Sequence, residues 1–504
     1  MAAYETAAVA TDQAMASKIG AHVLREMNGT AADAAVAVAL SLGVINFQSS
    51  GLGGGGFLVY YDNSAKESTA INFREKAPSG AYDSMYDDVA ERPALLVGVP
   101  GELKGPGKNT DESNGRNCLK KEDQFTDELE TFLKPNEKRF IAENDWFSAP
   151  RLGATLRRIG AHGNSDIFYK GKMARDMVEE LNAAGGVFAY DDFAACDVEE
   201  TATIKTHFMD MTVCGAPPPC STQYLLNILS TIGEEATSFD ADTRHYVGVT
   251  TSPKRSIKAK IDKTTTHAPD YYDAFYALSN DDGTTHFSIV DSHGNAVALT
   301  TTIESYFGSR IYSESLGFLY NSTVVNYARP DKYNPVHNLA PNPINYVRPG
   351  KRSQSTTSPL VCIDQKGDVV AVVGASGSHM IITSVVLTLV KYFAFGYSLA
   401  DAVREPRFHH QLVPNYVCVQ EDFPDEWRRD FERRGHVVEC VPRRLAAVQA
   451  IVKTGNSSPC AIIERRANRT GFRKGRHVTL TEWMHVLCVS ETRARGWVLT
   501  RGLT

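Results

Sequence analysis

The sequence is poor in features that would assign it at once to a common class. Its nine cysteines form no C-x-x-C pair, so the ligand spacing of a zinc ribbon and the motif of a thioredoxin-type site are both missing. An odd cysteine count in a chain of 504 residues does not indicate a disulfide scaffold either, although it leaves room for one or two bridges. The formal net charge of −6 argues against a protein built mainly to bind nucleic acid.

Long hydrophobic runs are missing as well. The longest apolar segment, residues 381–395, is broken by two threonines, a serine and a lysine. It falls short of the roughly 20 apolar residues that a membrane-spanning helix needs, so we expect a buried helix there. Residues 1–15 show no basic stretch followed by an apolar one, so no signal peptide or membrane anchor is visible.

The composition is that of a globular protein, with 42% apolar and 22% charged residues. Near the start of the chain, apolar residues recur with the period of a helix. Thr11 or Asp12 can cap a helix that runs through Met27. Thr30 can cap a second, alanine-rich helix that runs to about Val44. Further helices are predicted around residues 149–159, 174–184 and 381–396.

Strands fall into two groups. FLVYY and AINFRE (residues 70–75) follow a glycine run, and hairpins are predicted around residues 292–294 and 365–367. Two groups of strands, each with helices attached, predict two sheets stacked face to face with helices outside.

Two segments do not fit this pattern. The charged segment 105–139 is interpreted as disordered or as an irregular insertion. The basic tail from Arg465 could contact nucleic acid, but a solvated surface is the favoured interpretation.

The glycine run invites a dinucleotide-binding interpretation, because Gly51, Gly53 and Gly56 satisfy G-x-G-x-x-G. That motif needs a strand before it and a helix after it, so that phosphate meets a helix N-terminus. Here a helix precedes the run and a strand follows it, so we reject a nucleotide cofactor. The glycines either let backbone segments approach closely or line a substrate pocket.

A different kind of signal lies in the DDGTTHF stretch, residues 281–287, at the entry to an apolar strand. If the chain were cut between Gly283 and Thr284, the new terminus would carry both a hydroxyl nucleophile and an amine. A free α-amino group, with a pKa of about 7.7 to 8.0, suits the task of accepting the hydroxyl proton. Taken alone, a Gly-Thr pair before a strand is usually only a turn.

Several ordered stretches are more informative together, and they span residues 7–105, 140–225 and 253–472. They are DAAVAVALSLGVINFQSSGLGGGGFLVYY, NFREKAP, VGVPGELKG, DGTTHFSIVDSHGNAVALTTTI, YFGS, KRSQSTTSP, VVGASGSHMIIT, EPRFHHQ and AAVQAIV. In this set the chain resembles the γ-glutamyltranspeptidase (glutathione hydrolase) family of N-terminal-nucleophile hydrolases.

The resemblance implies an α/β (α+β) fold, a four-layer αββα sandwich of the N-terminal-nucleophile type. One precursor would be cleaved autocatalytically into a large subunit (1–283) and a small subunit (284–504), the latter with an unmatched tail from about residue 473. The implied activity is γ-glutamyl transfer and hydrolysis of glutathione and other γ-glutamyl donors. The acceptor would be water, an amino acid or a dipeptide, with no metal or organic cofactor and no nucleic acid. The family suggests an extracellular or cell-surface location.

The same resemblance implies the catalytic residues. Thr284 would attack the carbonyl of Gly283 during maturation and the γ-amide of the donor afterwards. Thr302 matches the family's second threonine, which hydrogen-bonds the nucleophile. Gly377 and Ser378 match the Gly-Gly pair whose backbone N–H groups form the oxyanion hole, with a serine in place of the second glycine.

Other positions are implied to bind the donor. Arg74 matches the arginine that holds the substrate α-carboxylate, a role that suits the two parallel hydrogen bonds a guanidinium can make. Ser355 and Thr356 match a Ser-Ser pair that contacts the same carboxylate. The Pro- and Asn-rich segment 328–350 would border the pocket.

Three positions depart from the family's pattern at the site that is implied to bind the α-ammonium group of the donor. Glu304 replaces the family's asparagine, Thr323 replaces its Glu or Gln, and Asn326 replaces its Asp. The site thus loses one anion and gains another nearby. One hypothesis is that Glu304 takes over the ammonium contact, and the alternative is a relaxed or lost preference for γ-glutamyl groups.

Two functional alternatives therefore stay open beside the γ-glutamyl enzyme. One is a related amide or acyl hydrolase with a different substrate, and the other is a catalytically impaired relative that acts as a binding protein. His409 and His410 could bind metal, but no further ligands stand at a known spacing, and a structural role is favoured. Glycosylation sequons, among them one at Asn321, mildly support an extracellular form. A glycan at Asn321 would crowd the donor site.

Overall fold

The structure is a computed structural model. It describes residues 7–106, 149–233, 262, 264–272, 276–277, 283–330, 340–441, 445–453 and 459–463. The predicted charged insertion and the tail fall almost wholly outside the described residues. Among the described helices, none combines the length and apolar character needed to cross a bilayer.

The strands and helices are numbered here in chain order. The strands are β1 (Ala8–Thr11), β2 (Gly55–Asp62), β3 (Glu67–Asn72), β4 (Glu199–Ala202), β5 (Ile204–Phe208), β6 (Met211–Gly215), β7 (Tyr276–Ala277), β8 (Gly283–Val290), β9 (Ala296–Glu304), β10 (Ala340–Pro341), β11 (Leu360–Ile363), β12 (Val369–Ser376), β13 (Phe408–His409), β14 (Val417–Gln420), β15 (Val438–Val441), β16 (Ala447–Lys453) and β17 (Pro459–Ile463). The α-helices are α1 (Ala14–Arg25), α2 (Ala31–Ile45), α3 (Pro150–His162), α4 (Asp166–Tyr169), α5 (Lys172–Ala183), α6 (Tyr190–Ala194), α7 (Thr222–Gly233), α8 (Met380–Leu389), α9 (Leu399–Arg404) and α10 (Asp425–Arg433).

Two six-stranded antiparallel sheets form the centre of the described structure. The first has the strand order β1-β8-β9-β2-β3-β4 and the second has the order β17-β16-β12-β11-β6-β5. Each sheet contains strands from both sides of the 283/284 bond. The boundary between large and small subunits stays a prediction, and the two predicted parts share both sheets.

The sheets pack face to face through an apolar layer. Side chains alternate between the two faces of a strand, and the inward faces contribute one buried cluster, which includes Phe57, Val59 and Tyr61 from the first sheet and Val361 and Val372 from the second. Helices α1 and α2 cover the outer face of the first sheet. Helices α7, α8 and α9 cover the outer face of the second. The predicted αββα sandwich is confirmed.

Helix α2 begins where the sequence predicts. The Thr30 hydroxyl accepts a hydrogen bond from the Asp33 N–H (3.3 Å), and the Asp33 carboxylate accepts one from the Thr30 N–H (2.8 Å). This reciprocal capping satisfies two backbone donors that a helix start leaves unpaired. The predicted helix at 381–396 is α8 followed by a π-helical turn, Val390–Ala394.

The second predicted strand ends earlier than expected. The sequence predicts a strand over residues 70–75, whereas β3 ends at Asn72. The Asn72 side chain accepts a hydrogen bond from the Arg74 N–H (3.1 Å), which offers the backbone a local alternative to the sheet. Arg74 therefore lies just beyond the strand.

The glycine run packs against neighbouring backbone. It lies between α2 and β2, as predicted. A Cβ atom added to Gly53 would come within 2.1 Å of the Leu319 carbonyl oxygen, and one added to Gly56 within 2.1 Å of the Thr300 oxygen. Any side chain would force these segments apart, so the structure supports the close-approach interpretation of these glycines.

Candidate active site

A bulge in the β8–β9 hairpin shapes the predicted nucleophile site. Gly283 pairs with Glu304, but the next residue, Thr284, pairs with Thr302. Strand β9 thus holds one extra residue at this point, and Glu304 has a φ of 74°. Bulges re-aim side chains where a regular ladder would not, and this one brings Thr302 beside both Gly283 and Thr284.

Thr302 links the hydroxyl of Thr284 to the carbonyl that precedes it. The Thr284 Oγ1 hydroxyl donates to Thr302 Oγ1 over 3.2 Å, and Thr302 Oγ1 donates to the Gly283 oxygen over 2.5 Å. The Glu304 N–H also donates to Thr302 Oγ1, over 2.8 Å. Because the Thr302 oxygen accepts from two donors, its single proton points at the Gly283 carbonyl. Both threonines are buried.

A buried ion pair lies next to this threonine pair. Arg74 Nη1 contacts the Glu304 carboxylate, and Arg74 Nη2 donates to Ser353 Oγ (2.9 Å) and to the Gln354 carbonyl (3.3 Å). The Glu75 carboxylate lies 3.6 Å from Arg74 Nη1. Arg74, Glu75 and Glu304 are all shielded from solvent, so their charges act on one another strongly.

The Glu304 carboxylate also contacts Asn326, whose Nδ2 donates to its second oxygen. Burial raises the pKa of Glu304 to about 7, against the opposing effect of the Arg74 charge, while Glu75 raises it further. Glu304 thus lies between the two predicted donor-binding residues, Arg74 and Asn326.

Thr323 belongs to the same cluster through Ser353, since their hydroxyls lie 3.2 Å apart. The preceding Asn321 is buried, and its amide holds three backbone segments together. Its oxygen accepts from the N–H groups of Gly98 (2.9 Å) and Thr323 (3.0 Å), and its nitrogen donates to the carbonyls of Gly53 (2.7 Å) and Gly98 (2.8 Å). An amide used in this way has no room for a sugar.

Ser355 and Thr356, which follow Ser353 in the sequence, are both buried. The Ser355 N–H donates to the Pro219 carbonyl (2.9 Å), and its hydroxyl lies 3.1 Å from Thr357 Oγ1. The serine that contacts Arg74 is Ser353, two residues earlier. The predicted contact of Ser355 and Thr356 with a substrate carboxylate stays a prediction.

Gly377 and Ser378 follow β12 and lead into α8. Gly377 has a φ of 138° and Ser378 a φ of 61°. A Cβ at Gly377 would lie 2.7 Å from the Ala446 Cα atom. Position 378 tolerates a side chain, whose hydroxyl lies 3.1 Å from His379 Nδ1. Serine therefore replaces glycine at a position that has space for a side chain but a backbone conformation that favours glycine.

Substitutions at these two positions are expected to differ in their effect on stability. Gly377→Ala is expected to lower the free energy of unfolding by about 1–3 kcal/mol, because its backbone region is nearly restricted to glycine and the methyl group meets Ala446. Ser378→Gly is expected to change stability by less than about 1 kcal/mol, because glycine adopts a positive φ without strain. Urea unfolding of both variants checks this. A Gly377→Ala protein as stable as the wild type would contradict the assignment.

Comparison with known proteins identifies the family to which the chain belongs. A family model described as gamma-glutamyltranspeptidase matches residues 16–112, 106–251 and 239–472. The chain belongs to the γ-glutamyltranspeptidase family. The predicted resemblance is confirmed, and the chain is a member of a family of enzymes.

Curated proteins similar to this chain include two glutathione hydrolases and a scoloptoxin. Glutathione hydrolase proenzyme 1 of Schizosaccharomyces pombe is 31% identical, with 89% of this chain and 81% of that protein covered. The glutathione hydrolase proenzyme of Escherichia coli is 28% identical, covering 88% and 87%. Scoloptoxin SSD14 of Scolopendra dehaani is 30% identical, covering 86% and 87%. Among solved structures, a cephalosporin acylase from Bacillus halodurans matches with a TM-score of 0.71 at 19% identity, covering 97% of each chain, which shows the shared fold.

Three residues of the site escaped the sequence analysis, namely Glu75, Glu102 and Ser353. The signal was present, since each lies inside a motif of the family resemblance, but pattern alone did not single them out. Glu102 is buried and accepts a hydrogen bond from Thr301 Oγ1 (2.5 Å). Burial raises the pKa of Glu102 to about 8; the bond from Thr301 opposes this shift and the negative charge of Glu75 adds to it.

The buried histidines of this family member are held by protein groups. His286 Nδ1 lies 2.8 Å from Thr300 Oγ1 and its Nε2 3.1 Å from Ser288 Oγ, and burial lowers the pKa of His286 to about 3. His409 contacts Thr383 and Gln411, each at 2.9 Å. No group of three His, Cys, Asp or Glu side chains suited to a metal occurs in the part of the chain that is described.

Proposed function

We propose that this protein is a γ-glutamyltransferase and glutathione hydrolase that activates itself by cleaving its Gly283–Thr284 bond. The observation that carries the proposal is the hydrogen-bonded series from the Thr284 hydroxyl through Thr302 to the Gly283 carbonyl. Relatives named glutathione hydrolases, at 28–31% identity over most of the chain, support the choice of substrate.

Self-cleavage begins with attack of the Thr284 hydroxyl oxygen on the Gly283 carbonyl carbon. The bond from Thr302 polarises that carbonyl and stabilises the negative charge that develops on its oxygen. The Thr284 proton passes to the leaving nitrogen as the C–N bond breaks, which leaves an ester between Gly283 and the Thr284 oxygen. Water hydrolyses this ester to a Gly283 carboxylate, a free hydroxyl and a free α-amine on Thr284.

Turnover repeats this chemistry on an outside amide. The Thr284 amine accepts the hydroxyl proton while the oxygen attacks the γ-carbonyl of the donor. The proton then goes to the leaving amine, and a γ-glutamyl ester forms on Thr284. Water, or the amine of an amino acid or dipeptide, attacks the ester and regenerates the hydroxyl. The N–H groups of Gly377 and Ser378 stabilise the oxyanion in both halves.

Donor recognition uses the buried pair of Arg74 and Glu304. A γ-glutamyl group carries an α-carboxylate and an α-ammonium on one carbon. Arg74 offers a cation to the first and Glu304 offers an anion to the second, so a zwitterion meets alternating charges. Asn326 is uncharged, and its bond to Glu304 orients the carboxylate. The anion therefore stands at position 304 rather than 326.

A second candidate function is hydrolysis of an acyl amide without the α-amino acid group. The contact that favours it is the ion pair itself, because Glu304 already neutralises Arg74. If the pair stays closed on donor binding, neither charge is offered to a zwitterion. Desolvated pairs of this kind are costly to open.

One experiment tests the proposal and separates the two candidates. Purified wild-type protein is examined by intact mass and N-terminal sequencing, and then assayed with γ-glutamyl, 4-aminobutyryl, glutaryl and acetyl p-nitroanilides. We expect two chains, one beginning at Thr284, and a preference for the γ-glutamyl compound over the analogues that lack one charge. Faster release from the acetyl compound would favour the second candidate, and a single intact chain would overturn self-cleavage.

Exchanging the side chains at 304 and 326 tests where the anion must stand. Glu304→Asn is expected to raise KM for the γ-glutamyl compound by about 10- to 100-fold, because a charge-assisted hydrogen bond is lost. The double variant Glu304→Asn/Asn326→Asp restores one carboxylate and should recover most of the affinity. Asn326→Asp alone places two buried carboxylates together and should be the least stable of the set.

Glutaryl p-nitroanilide is the matched control for this exchange, since it lacks the ammonium group and its turnover should not fall in Glu304→Asn. Unchanged γ-glutamyl affinity in Glu304→Asn would refute the role of Glu304. Steady-state KM values for the four proteins, measured on both compounds, decide the outcome.

Donor affinity is also expected to depend on pH. With a pKa of about 7, Glu304 is largely protonated at pH 6 and largely ionised at pH 8. Only the ionised form attracts an ammonium group, so KM for the γ-glutamyl compound should fall as the pH rises through 7. The Thr284 amine, with an ordinary pKa of about 7.7 to 8.0, acts on kcat instead. Separate kcat and KM profiles check this, and in Glu304→Asn the KM profile should be flat.

A further inference from the structure

Cleavage of the 283/284 bond changes the surroundings of the nucleophile. In the uncleaved chain, β8 continues upstream through Gly283, which pairs with Glu304. After cleavage Thr284 becomes the first residue of its strand. Free strand ends fray unless other contacts hold them, whereas catalysis needs the Thr284 hydroxyl fixed to within a fraction of an ångström. The contacts just downstream of Thr284 must then supply this restraint.

Thr285, the next residue, has such a contact. Its side chain points to the opposite face of β8 from that of Thr284 and is fully buried. Thr285 Oγ1 donates to Asp12 Oδ2 over 2.5 Å. Asp12 lies between β1 and α1, and its other oxygen accepts a hydrogen bond from Gln449 Nε2 of β16. One carboxylate thus ties the start of β8 to both sheets.

The opposite face of β8 also contacts Gln449 of β16. The Ser288 hydroxyl donates to the Gln449 carbonyl over 3.3 Å, and it lies 3.1 Å from His286 Nε2. His286 packs where Gly374 of β12 has no side chain, since a Cβ there would lie 2.3 Å from His286 Cε1. None of these groups takes part in the proposed chemistry, although all of them adjoin the nucleophile strand.

We propose that Asp12, acting through Thr285, is a positioning residue that holds Thr284 in place once the chain has been cleaved. The proposal rests on the self-cleavage proposed above. In the precursor the continuous chain restrains Thr284, so the Asp12–Thr285 bond is needed only in the mature enzyme. Asp12 touches neither substrate nor reacting atoms and acts on kcat alone.

The test uses full-length protein with Thr285→Val, which keeps the shape but removes the donor, and with Asp12→Ala. Both variants are expected to cleave themselves completely and then to show a kcat reduced by about 10- to 100-fold, with KM unchanged. Thr285→Ser restores the hydroxyl and should restore kcat. The double variant should be no worse than Asp12→Ala alone, because Asp12→Ala has already removed the bond to Thr285.

Asp33→Asn is the matched control, since Asp33 is a buried carboxylate in the same layer that caps α2. It should lower the melting temperature and leave kcat unchanged. Hydrogen exchange gives a second readout: peptide 284–290 should exchange faster in mature Thr285→Val than in the mature wild type, while Thr284→Ala precursors with and without Thr285→Val should exchange alike.

Three results would overturn the proposal. They are wild-type kcat in both variants, failure of Thr285→Val to cleave, and additive losses in the double variant. A wild-type protein that stays intact would instead refute self-cleavage, and the positioning role would fall with it.

Discussion

Thr284→Ala protein is expected to remain one full-length chain and to lose at least about 10⁴-fold of the rate of γ-glutamyl anilide hydrolysis. The substitution removes the oxygen that forms both esters, the one to Gly283 and the one to the donor. The neighbouring hydroxyl of Thr302 is not a replacement in the cleavage step, because its proton is directed at the Gly283 carbonyl. A denaturing gel and intact mass measure the first effect, and p-nitroaniline release measures the second.

Thr284→Ser is the control for this variant. Serine keeps the hydroxyl and loses only a methyl group, so the chain should still split and retain part of its activity. Thr284→Ala protein that split at the same bond and consumed donor at the wild-type rate would refute the whole scheme. The nucleophile would then have to be sought elsewhere in the chain.

The layered fold could be predicted because its signals are local. The start of α2 follows from Thr30 and Asp33, which lie three positions apart and form a capping pair. The hairpins follow from turn residues between apolar runs, as at Gly294 and Gly367. Alternation within each strand then assigns one face to the core, and two such sheets with apolar helices have few ways to pack.

The interior of the site could not be predicted in the same way. Arg74 and Glu304 stand 230 positions apart, and the sequence analysis assigned them separately to a carboxylate and an ammonium of the donor. Their contact depends on the bulge at Gly283/Thr284, a one-residue shift in register that no pattern announces. The role of Ser353 was missed for a related reason, because the family motif pointed to Ser355.

The closed pair of Arg74 and Glu304 also decides which variants are informative. Removal of one partner from a buried ion pair leaves an uncompensated charge and costs about 3–5 kcal/mol of stability. Arg74→Ala would therefore lose activity whether or not Arg74 binds the donor. Glu304→Asn breaks the same pair, so its effect on KM is informative only beside the glutaryl control and the double variant. The exchange between positions 304 and 326 keeps one carboxylate in the cluster, so its effect on KM reports on recognition rather than on folding.

Thr302→Val is expected to slow self-cleavage by about 10²- to 10³-fold. Valine has the same shape as threonine, so the packing of β9 is kept while the donor to the Gly283 carbonyl is removed. In other acyl-transfer enzymes, removal of a single hydrogen-bond donor to a developing oxyanion lowers the rate by a factor of this size. A time course of precursor conversion on denaturing gels measures the rate, and Thr302→Ser should restore it.

Thr300→Val provides the matched control on the same strand, two residues earlier. Its hydroxyl contacts His286 and not the Gly283 carbonyl, so the variant should mature at close to the wild-type rate even if it is less stable. Equal slowing in both variants would mean that the hydroxyls act through strand stability. Slowing in Thr302→Val alone would show that Thr302 promotes cleavage through the hydrogen bond that it donates to the Gly283 carbonyl.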